Sequence, residues 1–139
     1  MSSPVADITK HWWPNEPRVA RVCSVVDGDT IKVLMPWTDG KLLKWPCRLY
    51  GINTPELRGG TDESKAQAQA CKQLLSDKVL DKFVLLVFHD QADAFGRLLV
   101  TVYTGREDAV RLSMVPDDLE NVCEWMLENG PGTVTFKND

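Results

Sequence analysis

The sequence predicts an α+β fold that is mainly β: a five-stranded barrel of the OB type with two packed helices. Short runs of β-branched and apolar residues alternate with turn residues over 20–50 and again over 83–103. A stretch with helical spacing of its apolar residues follows each group of strands. The predicted order is therefore β-β-β-α-β-β-α, and 139 residues suit one domain with one core.

Turn chemistry separates the first three strands. Residues 22–26 lead into the turn Asp27-Gly-Asp-Thr30, and an alternating strand follows, as in a β-hairpin. A second Asp-Gly pair at 39–40 predicts the next turn, before a third strand that ends near Tyr50. Pro55 lies beyond the sheet, because proline cannot donate to a strand ladder.

The first helix is predicted from a cap at Thr61 or Asp62 to about Lys78, because its apolar residues recur at one-turn spacing. A strand at 83–88, expected to be buried on both faces, is followed by a turn at 93–96 and another strand at 97–103. The last helix is predicted to start at Asp117 or Asp118 and to stop at Asn129-Gly130. Its apolar stripe comprises Leu119, Val122, Cys123, Met126 and Leu127.

The predicted domain covers residues 20–136, between an irregular arm at 1–19 and a tail at 137–139. The arm carries Trp12 and Trp13, which either cover an edge of the core, the interpretation we favour, or contact a partner or a stacked base. No apolar run is long enough to cross a membrane and the N-terminus has no secretory signal pattern, so we expect an intracellular protein.

Charge and cysteine content exclude some classes of site. The net charge of −4 argues against a general electrostatic attraction for nucleic acid, although not against a local one. The four cysteines are too far apart in sequence for a CxxC zinc site. Two disulfides are an alternative, but four reduced and mostly buried thiols are the expectation in an intracellular protein.

Polar residues at strand ends suggest chemistry only when they are taken together. The turn Asp27-Gly-Asp-Thr30 and the segment Asn53-Thr-Pro-Glu56 are each common in solvated loops, and Arg48 or Arg97 could simply point outward. Acidic and amide oxygens are hard ligands for a divalent cation, and guanidinium groups match phosphate oxygens. A cation, two arginines and a base are the groups that phosphodiester hydrolysis needs.

In this order, the motifs resemble those of the staphylococcal nuclease (thermonuclease) family. The matching stretches are residues 25–33 (VVDGDTIKV), 47–56 (CRLYGINTPE) and 93–100 (DAFGRLLV), and the last helix at 121–130 is also similar. The resemblance covers roughly residues 20–136. It implies a metal-dependent nuclease that uses calcium, or another divalent cation, and cuts single-stranded DNA and RNA with little sequence specificity to leave 3′-phosphate ends.

The resemblance also implies roles for individual residues. Asp29, Asn53 and the main-chain carbonyl of Thr54 match the calcium ligands, although the family usually has aspartate where Asn53 stands. Glu56 matches the acid that orients or deprotonates the attacking water. The two arginines match those that bind the phosphate: Arg48 bridges a phosphate oxygen and the cation, and Arg97 stabilises the pentacoordinate phosphorus and the leaving oxygen.

Other positions depart from the family pattern. Phe95 and Phe136, expected to bind substrate, stand where the family has tyrosines that contact the terminal phosphate and the base. Asn53 removes one charge from the ligand set, which predicts weaker calcium binding. The chain ends at Asp139, too early for the family's third helix, and 104–116 is expected to be a longer loop.

Two functions follow from these observations. The first is a calcium-dependent endonuclease whose substrate is single-stranded DNA or RNA, with no membrane contact and a monomer expected. The alternative is a weak or inactive module of the same fold that binds nucleic acid or a protein partner. The presence of Asp29, Arg48, Glu56 and Arg97 together favours catalysis.

Overall fold

Five strands close into a barrel, which confirms the predicted fold class. The computed structural model describes residues 17–36, 40–92, 96–113 and 116–136. The barrel strands are β1 (Pro17–Asp27), β2 (Thr30–Pro36), β3 (Leu42–Leu49), β5 (Phe83–Ala92) and β6 (Leu98–Thr104). They run in the order β3-β2-β1-β5-β6, and a parallel pairing of β3 with β6 closes the ring. The other pairings between these strands are antiparallel.

Shorter elements complete the chain. Strand β4 (Ile52–Asn53) leaves the barrel and pairs with β8 (Val134–Thr135), while β7 (Glu120–Asn121) extends the main sheet beside β6. The helices are α1 (Asp62–Val79), α2 (Glu107–Ser113) and α3 (Val122–Asn129), with one 3₁₀ turn at Pro116–Asp118. Asn53 thus lies on a two-residue strand whose position depends on the C-terminal segment.

The core fills the barrel and the space beneath α1 and α3. Alternate residues of each strand point inward, as the two-residue period of a strand requires. Trp45 is fully buried and donates its indole N–H to the carbonyl of Met35 at 3.2 Å. The other fully buried side chains of the barrel strands include Val22, Ile31, Val33, Cys47, Leu49, Val84, Leu86, Leu98, Val100 and Val102.

Helix α1 begins where the sequence predicts. The Thr61 hydroxyl accepts a hydrogen bond from the Ser64 N–H at 3.1 Å, which satisfies one of the free donors of the first turn. The helix buries Cys71, Leu75 and Val79 against the barrel. All four cysteines are free and three of them are buried, so the expectation of reduced thiols is confirmed.

The last helix starts later than predicted. Its cap is Asn121, whose side-chain oxygen accepts from the Glu124 N–H at 3.1 Å, whereas the predicted caps Asp117 and Asp118 lie in the 3₁₀ turn. Residues 120–121 pair with β6 instead of joining the helix, so Leu119 is not on its apolar face. Sheet pairing outweighs the propensity of two adjacent acidic residues to cap. The predicted stop at Gly130 is confirmed.

Helix α2 lies inside the segment expected to be a loop, so the described chain has three α-helices and not two. It packs on β5 and covers its outer face. This explains why Leu85 and Leu86, which point to opposite faces of β5, are both fully buried, as the sequence predicts for this strand. The helix was missed because only Val110 is fully buried among residues 107–112, too few for a periodic pattern.

Some predictions concern residues outside the described ones: most of the arm with Trp12 and Trp13, the substrate-binding candidate Phe95, the turn residues 39 and 93–95, and the tail at 137–139. The structure does describe the end of the arm. Residues 17–19 pair with β5, so the first strand starts three residues before the predicted domain boundary.

Candidate active site

The turn between β1 and β2 presents a buried carboxylate. Asp29 is only 6% exposed and follows Gly28, which packs directly against α1 and the β4 loop. A Cβ on Gly28 would lie 2.6 Å from the Cβ of Cys71 and 3.0 Å from the side chain of Thr54. Only glycine therefore lets this turn approach the helix closely enough to hold Asp29 beside Thr54.

Three groups hold the Asp29 carboxylate in place. The Thr54 N–H donates to Oδ2 at 3.0 Å, and the Thr30 hydroxyl donates to Oδ1 at 3.2 Å. Nη1 of Arg48 lies 3.3 Å from Oδ2 as an ion pair. Burial raises the pKa of Asp29, but hydrogen bonds from Asp27 and Thr54 and the charge of Arg48 outweigh it and lower the pKa overall. Asp29 is therefore ionised at neutral pH.

Arg48 joins the turn to strand β4. It is 6% exposed and lies opposite Thr30 in the β2–β3 ladder. Besides the ion pair with Asp29, its Nη1 donates to the carbonyl of Leu49 at 3.1 Å, and its Nη2 donates to Oδ1 of Asn53 at 3.3 Å. A carboxylate and an amide oxygen thus converge on one guanidinium group.

Arg97 reaches the same place from the start of β6. Its Nη1 donates to the hydroxyl oxygen of Thr30 at 3.0 Å, and that hydroxyl donates in turn to Asp29. One chain of contacts therefore links Arg97, Thr30, Asp29, Arg48 and Asn53, which we call the arginine–aspartate network. Thr30 is the member that the sequence analysis missed. The sequence signal for Thr30 is its position directly after Asp29, but the sequence analysis interpreted Thr30 only as part of the turn.

Asp27 supplies a second carboxyl group beside Asp29. Its Oδ1 accepts a hydrogen bond from the Asp29 N–H at 3.2 Å. Burial, followed by the hydrogen bond and charge of Asp29, raises the pKa of Asp27 to about 6. The pair therefore loses its second negative charge as the pH falls through about 6, because two adjacent carboxylates resist ionising together.

Two predicted site residues lie at the rim of the network. Glu56 is exposed, two residues after Thr54, and its carboxylate makes no hydrogen bond or ion pair within the described part of the chain. Phe136 is 44% exposed, and the guanidinium of Arg48 lies 5.7 Å from the centre of its ring. The structure thus gives Phe136 a direct contact with the network, whereas Glu56 faces solvent.

The oxygens in this region fit a hard divalent cation by type. Asp29 offers a carboxylate, Asn53 an amide oxygen and Thr54 a main-chain carbonyl, all of them ligand types that Ca²⁺ accepts. Residues 17–36, 40–92, 96–113 and 116–136 contain no group of three or more His, Cys, Asp or Glu placed to hold a metal. These three groups would offer a cation one carboxylate and two neutral oxygens.

Comparisons with known proteins bear on the family of the chain. No helix among the described residues is long and apolar enough to cross a membrane. No curated protein matches the chain. The family model described as staphylococcal nuclease homologue matches residues 46–138, about two thirds of the chain, which includes Arg48, Asn53, Glu56 and Arg97. Asp29 precedes the matched range but is bonded to it through Arg48 and Thr54. The chain therefore belongs to the staphylococcal nuclease homologue family.

Proposed function

We propose that this protein is a calcium-dependent phosphodiesterase that hydrolyses single-stranded DNA and RNA with little sequence preference. The observation that carries the proposal is the arginine–aspartate network, in which two guanidinium groups are joined through Thr30 and Asp29. Guanidinium groups held by buried partners are preorganised, so they stabilise charge that develops on a phosphate without first reorganising.

Arg48 and Arg97 would each bind non-bridging oxygens of the scissile phosphate. Negative charge accumulates on these oxygens as the phosphorus becomes five-coordinate, so each arginine binds the transition state more tightly than the substrate. Asp29 orients Arg48 through their ion pair, and Thr30 orients Arg97 by accepting its hydrogen bond. Lysine would not replace either arginine, because an ammonium group cannot form the paired hydrogen bonds of the fork.

Glu56 is the proposed acceptor of a proton from the attacking water. Its exposure leaves it accessible to a water molecule beside the bound phosphate. The new P–O bond forms as the bond from phosphorus to the 5′-oxygen breaks. The water proton passes to Glu56, and the 5′-oxygen leaves with a proton from solvent. The products are a 3′-phosphate and a free 5′-hydroxyl.

Asp29, Asn53 and the Thr54 carbonyl are the groups that would hold the calcium ion. When bound, the ion would supply positive charge to the phosphate and lower the pKa of a bound water. Arg48 already lies against Asp29 and Asn53, and Asn53 lacks the charge of an aspartate, so we expect weak calcium affinity.

The same contacts favour a second candidate function. Because the guanidinium of Arg48 already neutralises Asp29, the network could bind a phosphate and release it unchanged. The protein would then be a nucleic-acid-binding module with weak or no activity. Hydrolysis separates the two functions, whereas binding alone does not.

The test is hydrolysis of a labelled single-stranded oligonucleotide in calcium, in magnesium and in EDTA. We expect cutting in calcium that EDTA abolishes, and a loss of at least about 100-fold in Glu56→Gln, the usual contribution of a general base. Glu128→Gln is the matched control, because Glu128 is exposed on α3 and outside the network. Wild-type protein that binds the strand but never cuts it would establish the second function instead.

A further inference from the structure

Beyond the arginine–aspartate network, two rings stack against each other on the outer face of the barrel. The rings of Tyr50 and His89 are 3.7 Å apart between centroids, with 13° between their planes. His89 lies on β5 and Tyr50 directly follows β3, and β6 runs between these two strands, so the pair spans β6. The proposed reaction assigns no role to either ring.

The pair is held rigidly. A ring nitrogen of His89, Nε2, lies 2.8 Å from the hydroxyl oxygen of Thr101, which fixes the orientation of the imidazole. The Tyr50 N–H donates to the carbonyl of Val100 at 2.8 Å, so the backbone beneath the phenol ring is tied to β6. Tyr50 nevertheless remains 37% exposed. A flat, immobilised and accessible aromatic surface is what base stacking requires.

The position of the pair relates it to the phosphate-binding arginine. Tyr50 is two residues beyond Arg48, so their Cα atoms lie within about 7 Å of each other. Two aromatic groups are therefore close to Arg48: Phe136 contacts its guanidinium, and Tyr50 follows it by two residues.

We infer that the stacked rings of Tyr50 and His89 bind the base of a nucleotide adjacent to the scissile phosphate. This inference rests on the proposed function and gives a structural reason for its single-stranded substrate. A base that stacks on a side chain must have a free face, so the substrate must be single-stranded at this position. Stacking discriminates little among bases, because every base has a π-face. The protein is acidic, with 16 basic residues against 20 acidic ones, so it attracts nucleic acid only weakly by charge. The ring pair adds affinity that does not depend on positive charge.

The test compares two strands of equal charge. One is a fluorescein-labelled oligothymidylate, and the other is an abasic oligonucleotide of the same length. Binding is measured by fluorescence anisotropy with calcium present, in a Glu56→Gln background that slows cutting of the strand. We expect the thymidylate strand to bind more tightly than the abasic strand. Tyr50→Leu should weaken thymidylate binding about tenfold, the loss of one stacked base, and leave abasic binding unchanged.

Three controls separate stacking from structure. Tyr50→Phe keeps the ring and should bind within about twofold of the parent protein. Tyr103→Leu makes the same change at the chain's other tyrosine, which pairs with Leu85 and Asn121 on the far part of β6, and should not affect binding. Thermal unfolding of each variant shows whether it is folded. His89→Leu should reproduce the Tyr50→Leu defect, because it removes the other half of the stack.

Each outcome decides the inference. Equal affinity of the parent protein for both strands would overturn stacking but leave phosphate binding and the proposed function intact. Failure of the parent protein to bind either strand would overturn both. A Tyr50→Leu protein that unfolds at a lower temperature yet keeps the preference for thymidylate would show that the ring pair is structural only.

Discussion

Two arginine–aspartate pairs in this molecule have the same chemistry and opposite surroundings. Arg106 and Asp108, at the start of α2, form the shorter ion pair, 2.8 Å between Nη2 and Oδ2, with side chains 82% and 59% exposed. Arg48 and Asp29 are 3.3 Å apart, with side chains 7% and 9% exposed. The comparison shows that the length of an ion pair says little about its importance.

Partners explain the difference between the pairs. The exposed pair is solvated by water, and its long side chains gain little by staying together. The buried pair has lost water, so its remaining hydrogen-bonding groups must be satisfied by the protein. Thr30 and Thr54 donate to Asp29, and Leu49 and Asn53 accept from Arg48. That extended set of partners fixes the geometry of the candidate active site.

The largest effect is expected when one partner of the buried pair is removed. Arg48→Ala leaves the Asp29 carboxylate buried without its counter-charge, which typically costs about 3–5 kcal/mol of the free energy of unfolding. Urea unfolding measures this cost. Arg106→Ala makes the same change at the surface and should leave the urea midpoint where it is. Equal midpoints for the two variants would show that burial does not distinguish the pairs.

Thr30 links the buried pair to Arg97, and its hydroxyl can be removed without a change of shape. Thr30→Val should lower kcat about tenfold with little change in KM, because Arg97 loses the acceptor that orients it. Thr30→Ser keeps the hydroxyl and should retain activity within about threefold. Steady-state hydrolysis of a short single-stranded substrate gives both constants. A serine variant as impaired as the valine variant would assign the effect to packing.

A substitution at position 53 can add a negative charge to the oxygens around Arg48. Asn53→Asp adds a second carboxylate to the proposed calcium ligands, so we expect about tenfold tighter calcium binding by isothermal titration calorimetry. The side chain keeps an oxygen that Nη2 of Arg48 can contact. Unchanged calcium affinity would remove Asn53 from the ligand set.

Replacing Asp27 is expected to have the smallest effect on stability, and the size of that effect depends on pH. Its pKa is raised from 3.8 to about 6 in the folded protein, so folding favours the protonated form. The resulting stabilisation is complete below pH 4 and is lost as the pH rises to about 6. Asp27→Asn should therefore stabilise the protein at pH 7.5 and have little effect at pH 4. We expect about 1 kcal/mol, less than the full equivalent of the shift, because this carboxyl is only partly buried and water screens it.

Thermal unfolding in EDTA at the two pH values measures this difference. Asparagine keeps the oxygen that accepts from the Asp29 N–H, so the turn itself should persist. Asp118→Asn, at an exposed aspartate in the 3₁₀ turn, controls for the loss of one negative charge. A gain at pH 4 as large as that at pH 7.5 would contradict the assigned titration.

Local patterns predicted much of this fold. The strands of the first hairpin, the cap at Thr61 and the stop at Gly130 all depend on residues near one another in sequence. The parallel pairing of β3 with β6 was not predicted, because alternation shows which face of a strand is buried but not which distant strand pairs with it. For the same reason, Asn121 was not recognised as a cap: its position depends on the pairing of β7 with β6.

The candidate site shows the same division. The role of each of four residues is ambiguous when the residue is taken by itself: Asp29, Arg48, Asn53 and Arg97. The resemblance of whole motifs to a known family made them site candidates. The role of Thr30 depends on a contact between residues 67 positions apart, which no local pattern contains. The stacking of Tyr50 on His89 is equally non-local. Tyr50 follows β3 and His89 lies on β5, and β6 separates these two strands in the sheet.

The most direct test of the central claim makes one conservative change at both arginine–aspartate pairs. Arg48→Lys and Arg106→Lys each keep the positive charge and lose the planar fork. In calcium, we predict that wild-type protein and Arg106→Lys cut a labelled single-stranded oligonucleotide at the same rate, and that Arg48→Lys is slower by about 100-fold or more. Equal rates for all three proteins, or no cutting by wild-type protein, would contradict the assignment of the arginine–aspartate network as a phosphodiesterase site.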